Sequence, residues 1–314
     1  MNGELFFAFG HSRHSFGILV LSFGFATTMI DLSNPAARNA LLASAALALA
    51  CSVLSLFVVA RHWAFIGEGI SHSGFGGAGT AWLLALLVPA LDRPWVVYGS
   101  VVVFCVLTAL AIGKISRGQR VTSDAAIGIF LVASLAWGFL AQRTYLHVNH
   151  AVPVGFDTLL FGDARGVGTP YALLAVAVSV AVLLTVAALG KEILAYCFDP
   201  QLAETSGVRA GFIHYLLMVL LAAVIVAGVR VVGSVLMTAL LVLPGAAALL
   251  LTDRLKRALA WSIAIALMGA IGGVTLSLRY PFIPAGAAIV LLLFAEFLIA
   301  YATSKVALTV APAA

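Results

Sequence analysis

Nine stretches of this chain run for about twenty residues each with hardly a charge in them, which is the length needed to cross the hydrocarbon core of a bilayer as a helix. They cover 38–60, 66–91, 95–113, 124–141, 170–190, 211–229, 232–251, 258–277 and 284–303. In lipid only helices and closed barrels satisfy their own backbone. These runs are rich in Ala, Leu and Val and lack the ten-residue alternation of barrel strands, so the pattern predicts an all-α polytopic membrane protein. The whole sequence agrees: 63% of its 314 residues are hydrophobic and 9% charged, against about 25% charged in an ordinary soluble domain. A tenth, shorter run at 16–31 predicts either a tilted spanning helix or an interfacial one, giving nine or ten transmembrane helices.

Basic residues decide the orientation. With Arg61 inside, the cytoplasmic set is Arg61, Lys114, Arg117, Arg120, Lys191, Arg209, Arg254, Lys256, Arg257 and Lys305. The opposite side keeps Arg38, Arg93, Arg143, Arg165, Arg230 and Arg279. Ten against six, clustered as "GKISRGQR" and "TDRLKR", is the positive-inside pattern. The net charge of +5 is therefore read as topogenic, with membrane lipid as the surrounding partner and no nucleic acid. Cys51, Cys105 and Cys197 stand far apart and read as small core residues. Residues 1–14 lack a basic stretch followed directly by an apolar one, so no cleavable signal peptide is expected.

Polar residues inside these runs carry the functional information, because a charge at the bilayer centre costs roughly 2.5 kcal/mol or more. In "GEGISHSGFGG", residues 67–77, Glu68 and His72 are one helical turn apart and share a face. A carboxylate beside an imidazole suits a divalent ion such as zinc or manganese. It also suits an internal hydrogen-bonded pair that fixes packing, and the residues alone leave both readings open. Gly69, Ser73, Gly77 and Ala81 recur every fourth residue, which predicts close helix packing. Pro244 and Gly245 in "LLVLPGAAALL" predict a break or kink that frees carbonyls along a path.

Weaker candidates lie elsewhere. Asp157 and Asp163 flank the half-helix in "FDTLLFGD", whose short apolar piece at 156–161 reads as re-entrant in an outer connection spanning 142–169. His147 and His150 have metal-ligand spacing if their stretch is helical. Asp124 reads as a helix N-terminal charge, His214 as interfacial, and Glu296 as a lesser intramembrane candidate. In the inner connection 190–210, Asp199 before Pro200 predicts a capped short helix that Gly207 ends, a surface for another protein to push on. No G-x-x-x-x-G-K-[ST] loop occurs, Gly67 stands where H-E-x-x-H needs His, and there is no G-x-S-x-G, so an ATP site of that type, a zincin and a serine hydrolase are all disfavoured.

Five stretches together resemble the membrane permease subunits of the ABC importers for zinc, manganese and iron. The family's "G-D-A-L-S-H" is matched by "GEGISH" at 67–72 after "RHWAFI", and "S-E-D-T-A-I-G" by "TSDAAIG" at 122–128. "L-F-G-D" stands at 160–163, "F-D-P-E-L-A" with a following "G-V" is matched by "FDPQLAETSGV" at 198–208, and "R-x-V-G" with "L-L-V-x-P-A" by "RVVGSVLMTALLVLPGA" at 230–246. The family's aspartate in the first motif is Glu68 here, which keeps the charge and lengthens the arm. The order and spacing hold over roughly 37–303, which divides the chain into an N-terminal extension (1–36), a permease transmembrane domain (37–303) and a C-terminal tail (304–314).

The resemblance implies a type II ABC importer-like fold and a permease homodimer around a central pathway. Cytoplasmic ATPases carrying the ATP would dock on the coupling segment that includes Phe198, Asp199, Pro200, Leu202, Ala203, Gly207 and Val208. An extracytoplasmic metal-binding protein would deliver the transported zinc or manganese, or iron, which passes Glu68, His72 and Asp163 in a bacterial-type inner membrane. A secondary metal carrier or channel working without an ATPase is the alternative, and a membrane metalloenzyme using Glu68 and His72 a third reading.

Overall fold

The computed structural model describes residues 34–118, 121–150, 166–280 and 282–310. The run at 16–31, the piece at 156–161, Asp157 and Asp163 lie outside the described residues. Within them every regular element is helical: α1 (Pro35–Ala60), α2 (Ile66–Leu87), a 3-10 turn (Pro89–Leu91), α3 (Pro94–Arg117), α4 (Ser123–Asn149), α5 (Thr169–Phe198), α6 (Pro200–Thr205), α7 (Ala210–Val232), α8 (Ser234–Leu251), α9 (Leu255–Arg279) and α10 (Ala285–Val310). Among the described residues seven helices, α1, α3, α4, α5, α7, α9 and α10, are long and apolar enough to cross a membrane. α2 and α8 do not meet that measure. Glu68, His72 and a run of glycines dilute the apolar content of α2, and α8 is shorter than any of these seven.

The helices sort by what they touch. α1, α2, α7 and α8 are buried along most of their length and form the centre. α2 packs on α3 and α4, while α8 packs on α1, α9, α10 and α2. The outer helices keep large apolar side chains in the open, such as Leu107 on α3, Leu140 on α4 and Leu184 on α5. An apolar surface of that extent faces lipid or other membrane protein rather than water.

Several helices outlast their apolar runs. α4 continues to Asn149, eight residues past the expected end at 141, because Ala141 and Tyr145 extend a buried stripe at the i, i+4 spacing and the Tyr145 hydroxyl reaches Asp92 Oδ2 at 3.4 Å. α5 bends at Leu189 (φ −111°, ψ 17°) and runs on to Phe198. Residues 191–198, expected as part of a connection, are therefore helical and bury Ile193, Tyr196 and Cys197. α2 stops at Leu87, ahead of Pro89.

A break or kink is expected at Pro244, and the chain does not break there. Helix α8 runs through it. Ser55 of α1 accepts from the Gly245 N–H at 2.8 Å and donates to the Val242 carbonyl at 3.3 Å, so a partner helix satisfies groups beside the proline. The expected boundary between the runs 211–229 and 232–251 falls at Gly233, whose φ of +93° and ψ of 161° are open in practice only to glycine. One residue thus ends α7 and starts α8, with no polar connection between them.

Candidate metal pathway and coupling helix

Helix α2 presents Glu68 and His72 on one face, as their spacing requires. His72 Nε2 lies 2.7 Å from Glu68 Oε1, and the Thr238 hydroxyl of α8 donates to Glu68 Oε2 at 2.6 Å. The carboxylate is thereby held from two helices at once. Glu68 keeps 29% of its side chain exposed and His72 12%, so the pair borders open space instead of being sealed in the core. His72 stacks on Phe75 with 5.8 Å between ring centroids, and its Nδ1 is buried with no hydrogen-bond partner among the described residues.

Two chemical uses fit these donors. With Nε2–H donating to the carboxylate, the lone pair of His72 sits on Nδ1, and Glu68 acts as the group that orients the ring, a common arrangement behind metal-ligating histidines. Alternatively the carboxylate itself meets the ion, with His72 as co-ligand. The first use supplies one protein ligand, His72, and the second supplies two. No group of three or more His, Cys, Asp and Glu side chains converges among the described residues.

The small residues of α2 set how closely the other helices approach. A Cβ on Gly77 would stand 2.7 Å from Val101 Cα and 2.8 Å from the Ser100 carbonyl oxygen, inside van der Waals contact with backbone atoms that cannot turn away. Ser100 instead donates to the Gly77 carbonyl at 2.7 Å. α3 thus lies directly on the glycine face of α2.

The inner connection folds as a short, fully capped helix. Asp199 Oδ1 accepts from the Gln201 and Leu202 amides at 2.8 and 3.1 Å, and Pro200 occupies the first turn. At the other end Gly207 (φ +86°) donates to the Glu204 carbonyl and Val208 to that of Ala203, the paired bonds of a Schellman end. Ala203 is buried beneath it, while Phe198 and Leu202 are 80% and 64% exposed. Arg117 of α3 lies 3.8 Å from Glu204 on the exposed surface.

The remaining candidates stay apart from Glu68 and His72. Asp124 is exposed in the first turn of α4, after the Thr122 cap. His147 and His150 are exposed at the end of α4. Glu296 of α10 sits near Gly269 of α9, and its Oε2 is buried without a hydrogen-bond partner among the described residues. The three cysteines are free and buried. His214, expected at the interface, is only 4% exposed. Its Nδ1 meets the Tyr196 hydroxyl at 2.7 Å and its Nε2 the Gly113 carbonyl at 2.9 Å, which joins α7, α5 and α3. Thr238 was not singled out by sequence: one threonine inside an apolar run carries no periodic signal.

A model of the ABC 3 transport family matches residues 33–304. The Manganese transport system membrane protein MntC of Halalkalibacterium halodurans is 33% identical over 272 residues, covering 86% of this chain and 88% of that protein. The Probable iron transport system membrane protein of Haemophilus influenzae is 32% identical over 274 residues, covering 86% and 94% respectively. Among solved structures, that of PsaBC from Streptococcus pneumoniae in complex with Fab superposes with a TM-score of 0.70 at 27% identity, covering 90% of this chain and 95% of that one.

Proposed function

The chain belongs to the ABC 3 transport family, and from that premise we propose that it is the membrane permease subunit of an ATP-driven importer, with a divalent transition-metal ion as its cargo. It is a multi-pass protein of the bacterial inner membrane. One observation carries the assignment of the path: an acid and an imidazole, hydrogen-bonded side by side and bordering open space, on a central helix of a protein whose relatives are named for manganese and iron transport.

Glu68 and His72 line that path. Manganese, iron(II) and zinc are all acceptable to one carboxylate and one imidazole. Two side chains are too few for a complete coordination shell, which is why a homodimer is the natural assembly. Two copies facing across a central axis would bring four side-chain ligands together, with Asp163 toward the outer mouth and Pro244–Gly245 along the wall of α8. α2 and α8 are read as crossing with the seven apolar helices, nine in all, or ten if 16–31 also spans. Wrapped by neighbours, these two need less apolar surface than a lipid-facing helix.

An extracytoplasmic binding protein would hand over the ion, and ATP hydrolysis belongs to a cytoplasmic partner docked on α6. The exposed Phe198 and Leu202 give that partner an apolar anchor beside a helix held rigid at both ends. The test is uptake of radiolabelled manganese, iron(II) and zinc in turn by cells carrying the complete importer. Glu68→Ala and His72→Ala should each abolish uptake of the transported ion while the permease still co-purifies with its ATPase. Normal uptake by both variants would refute the path assignment, and uptake that survives loss of the ATPase would refute the ATP-driven mechanism.

A further inference from the structure

Glu68 is anchored by a threonine hydroxyl from another helix, and that direction is unusual among the helical threonines of this chain. Thr80, Thr144, Thr185, Thr275 and Thr303 each turn the hydroxyl back onto the carbonyl four residues earlier in their own helix, the default for a threonine in an apolar helix. Thr238 sends its proton across the interface to Glu68 Oε2 at 2.6 Å. The crossing depends on Gly67. A Cβ there would stand 3.2 Å from Thr238 Cα and 3.3 Å from Thr238 Oγ1, tighter than side chains ordinarily pack, so a larger residue would press α8 away from α2.

We propose that Thr238 is a positioning residue of the metal path, fixing the longer arm of Glu68 so that its carboxylate and His72 meet the ion in one geometry. The proposal rests on the reading of Glu68 and His72 as path-lining. Arm length is the physical link. An aspartate at position 68 would end about 1.5 Å short. From a contact of 2.6 Å that leaves the oxygen about 4 Å from the hydroxyl, beyond hydrogen-bond range. A glutamate left untethered has one more rotatable bond than aspartate and would sample several poses. Bonded to Thr238 on one oxygen and facing His72 with the other, it holds one pose. A ligand so fixed selects an ion by geometry, the means by which sites of similar donors discriminate among divalent metals.

The experiment is the same uptake assay in cells with the complete importer, scaled to permease amount in the membrane. Thr238→Val keeps the shape and removes the donor. It should lower kcat/KM for the transported ion about tenfold, equivalent to about 1.4 kcal/mol, mainly through KM, and narrow the preference among manganese, iron(II) and zinc. Thr238→Ser should restore uptake to within about twofold of wild type. In a Glu68→Asp background, Thr238→Val should add nothing, because the shorter arm does not reach the hydroxyl. With Glu68→Ala inactive, wild-type uptake by Thr238→Val overturns the Thr238 assignment alone. Equal loss in the serine and valine variants, or a full tenfold loss in the Glu68→Asp background, overturns it too. Wild-type uptake by Glu68→Ala overturns the path reading beneath it.

Discussion

Replacing His214 tests whether the inner ends of α3, α5 and α7 are held as one unit. The Gly113 carbonyl can only accept, so His214 Nε2 carries a proton, and the neutral ring then accepts the Tyr196 O–H on Nδ1. Trp63 packs edge-on against the ring at 5.4 Å, and the Arg61 guanidinium lies 4.8 Å from the centre of the Tyr196 ring. His214→Leu preserves much of the volume but leaves the Tyr196 hydroxyl without its histidine partner, while the Gly113 carbonyl loses one bond and keeps the Ser116 hydroxyl at 3.2 Å. A buried polar group so orphaned costs about 1–3 kcal/mol and the hydrogen bond lost at Gly113 about 1 kcal/mol more, so the variant should lose about 2–4 kcal/mol. Tyr196→Phe orphans only the ring nitrogen and should lose about half as much. The double variant leaves neither group orphaned, loses only the Gly113 bond, and should be more stable than the sum of the singles implies, by about 2–5 kcal/mol. Thermal unfolding of the detergent-purified permease reads this as a fall in Tm on the order of 5–15 °C for His214→Leu. A Tm within about 1 °C of wild type, or singles that add without coupling, would show that the hydrogen bonds do not tie these helices together.

Two further predictions use the same permease. Gly77→Ala puts a methyl group into the backbone of α3 and should destabilise by about 1–3 kcal/mol as an overpacked contact, whereas Gly99→Ala, with nothing within 4 Å of its new Cβ, should be neutral or gain up to about 1 kcal/mol from helix propensity. Equal Tm shifts for the two would refute the close α2–α3 contact. Phe198→Ala with Leu202→Ala removes two exposed side chains, so Tm should hold within about 2 °C while co-purification of the ATPase and metal uptake are lost; retention of the ATPase at wild-type yield would rule out α6 as its dock.

Local patterns in this chain were legible in sequence, and contacts between distant residues were not. The capped helix α6 could be read because its Asp199 cap and its Gly207 end lie within a few residues of the groups they bond. The Glu68–His72 pair could be read for the same reason: four residues on a helix is a fixed displacement. That α8 does not break at Pro244 is not legible, because the group that meets the backbone there, Ser55, is 190 residues away from Gly245. The boundary between α7 and α8 is legible to within a few residues, but its place at Gly233 is not, because a single-residue break leaves no polar stretch and only its positive φ marks it. The end of α4 is not legible because "QRTYLHVN" reads as a connection, whereas in the fold Tyr145 continues the buried stripe of Ala141.

The candidate site divides along the same line. Its ligands are a local motif on α2, but their geometry is set by Thr238, 170 residues from Glu68, across an interface that Gly67 keeps narrow. In this light position 67 is tied to position 68: the small residue lets α8 come near enough to tether the long acid. Glutamate at 68, a hydroxyl at 238 and glycine at 67 therefore act as one unit. Changing Glu68 to aspartate alone removes the need for the hydroxyl, whereas enlarging Gly67 alone removes the hydroxyl from reach. Gly67→Ala should accordingly lower metal uptake in the wild-type background, and do so less when Glu68 is already aspartate. Equal losses in the two backgrounds would mean that Gly67 serves helix packing only.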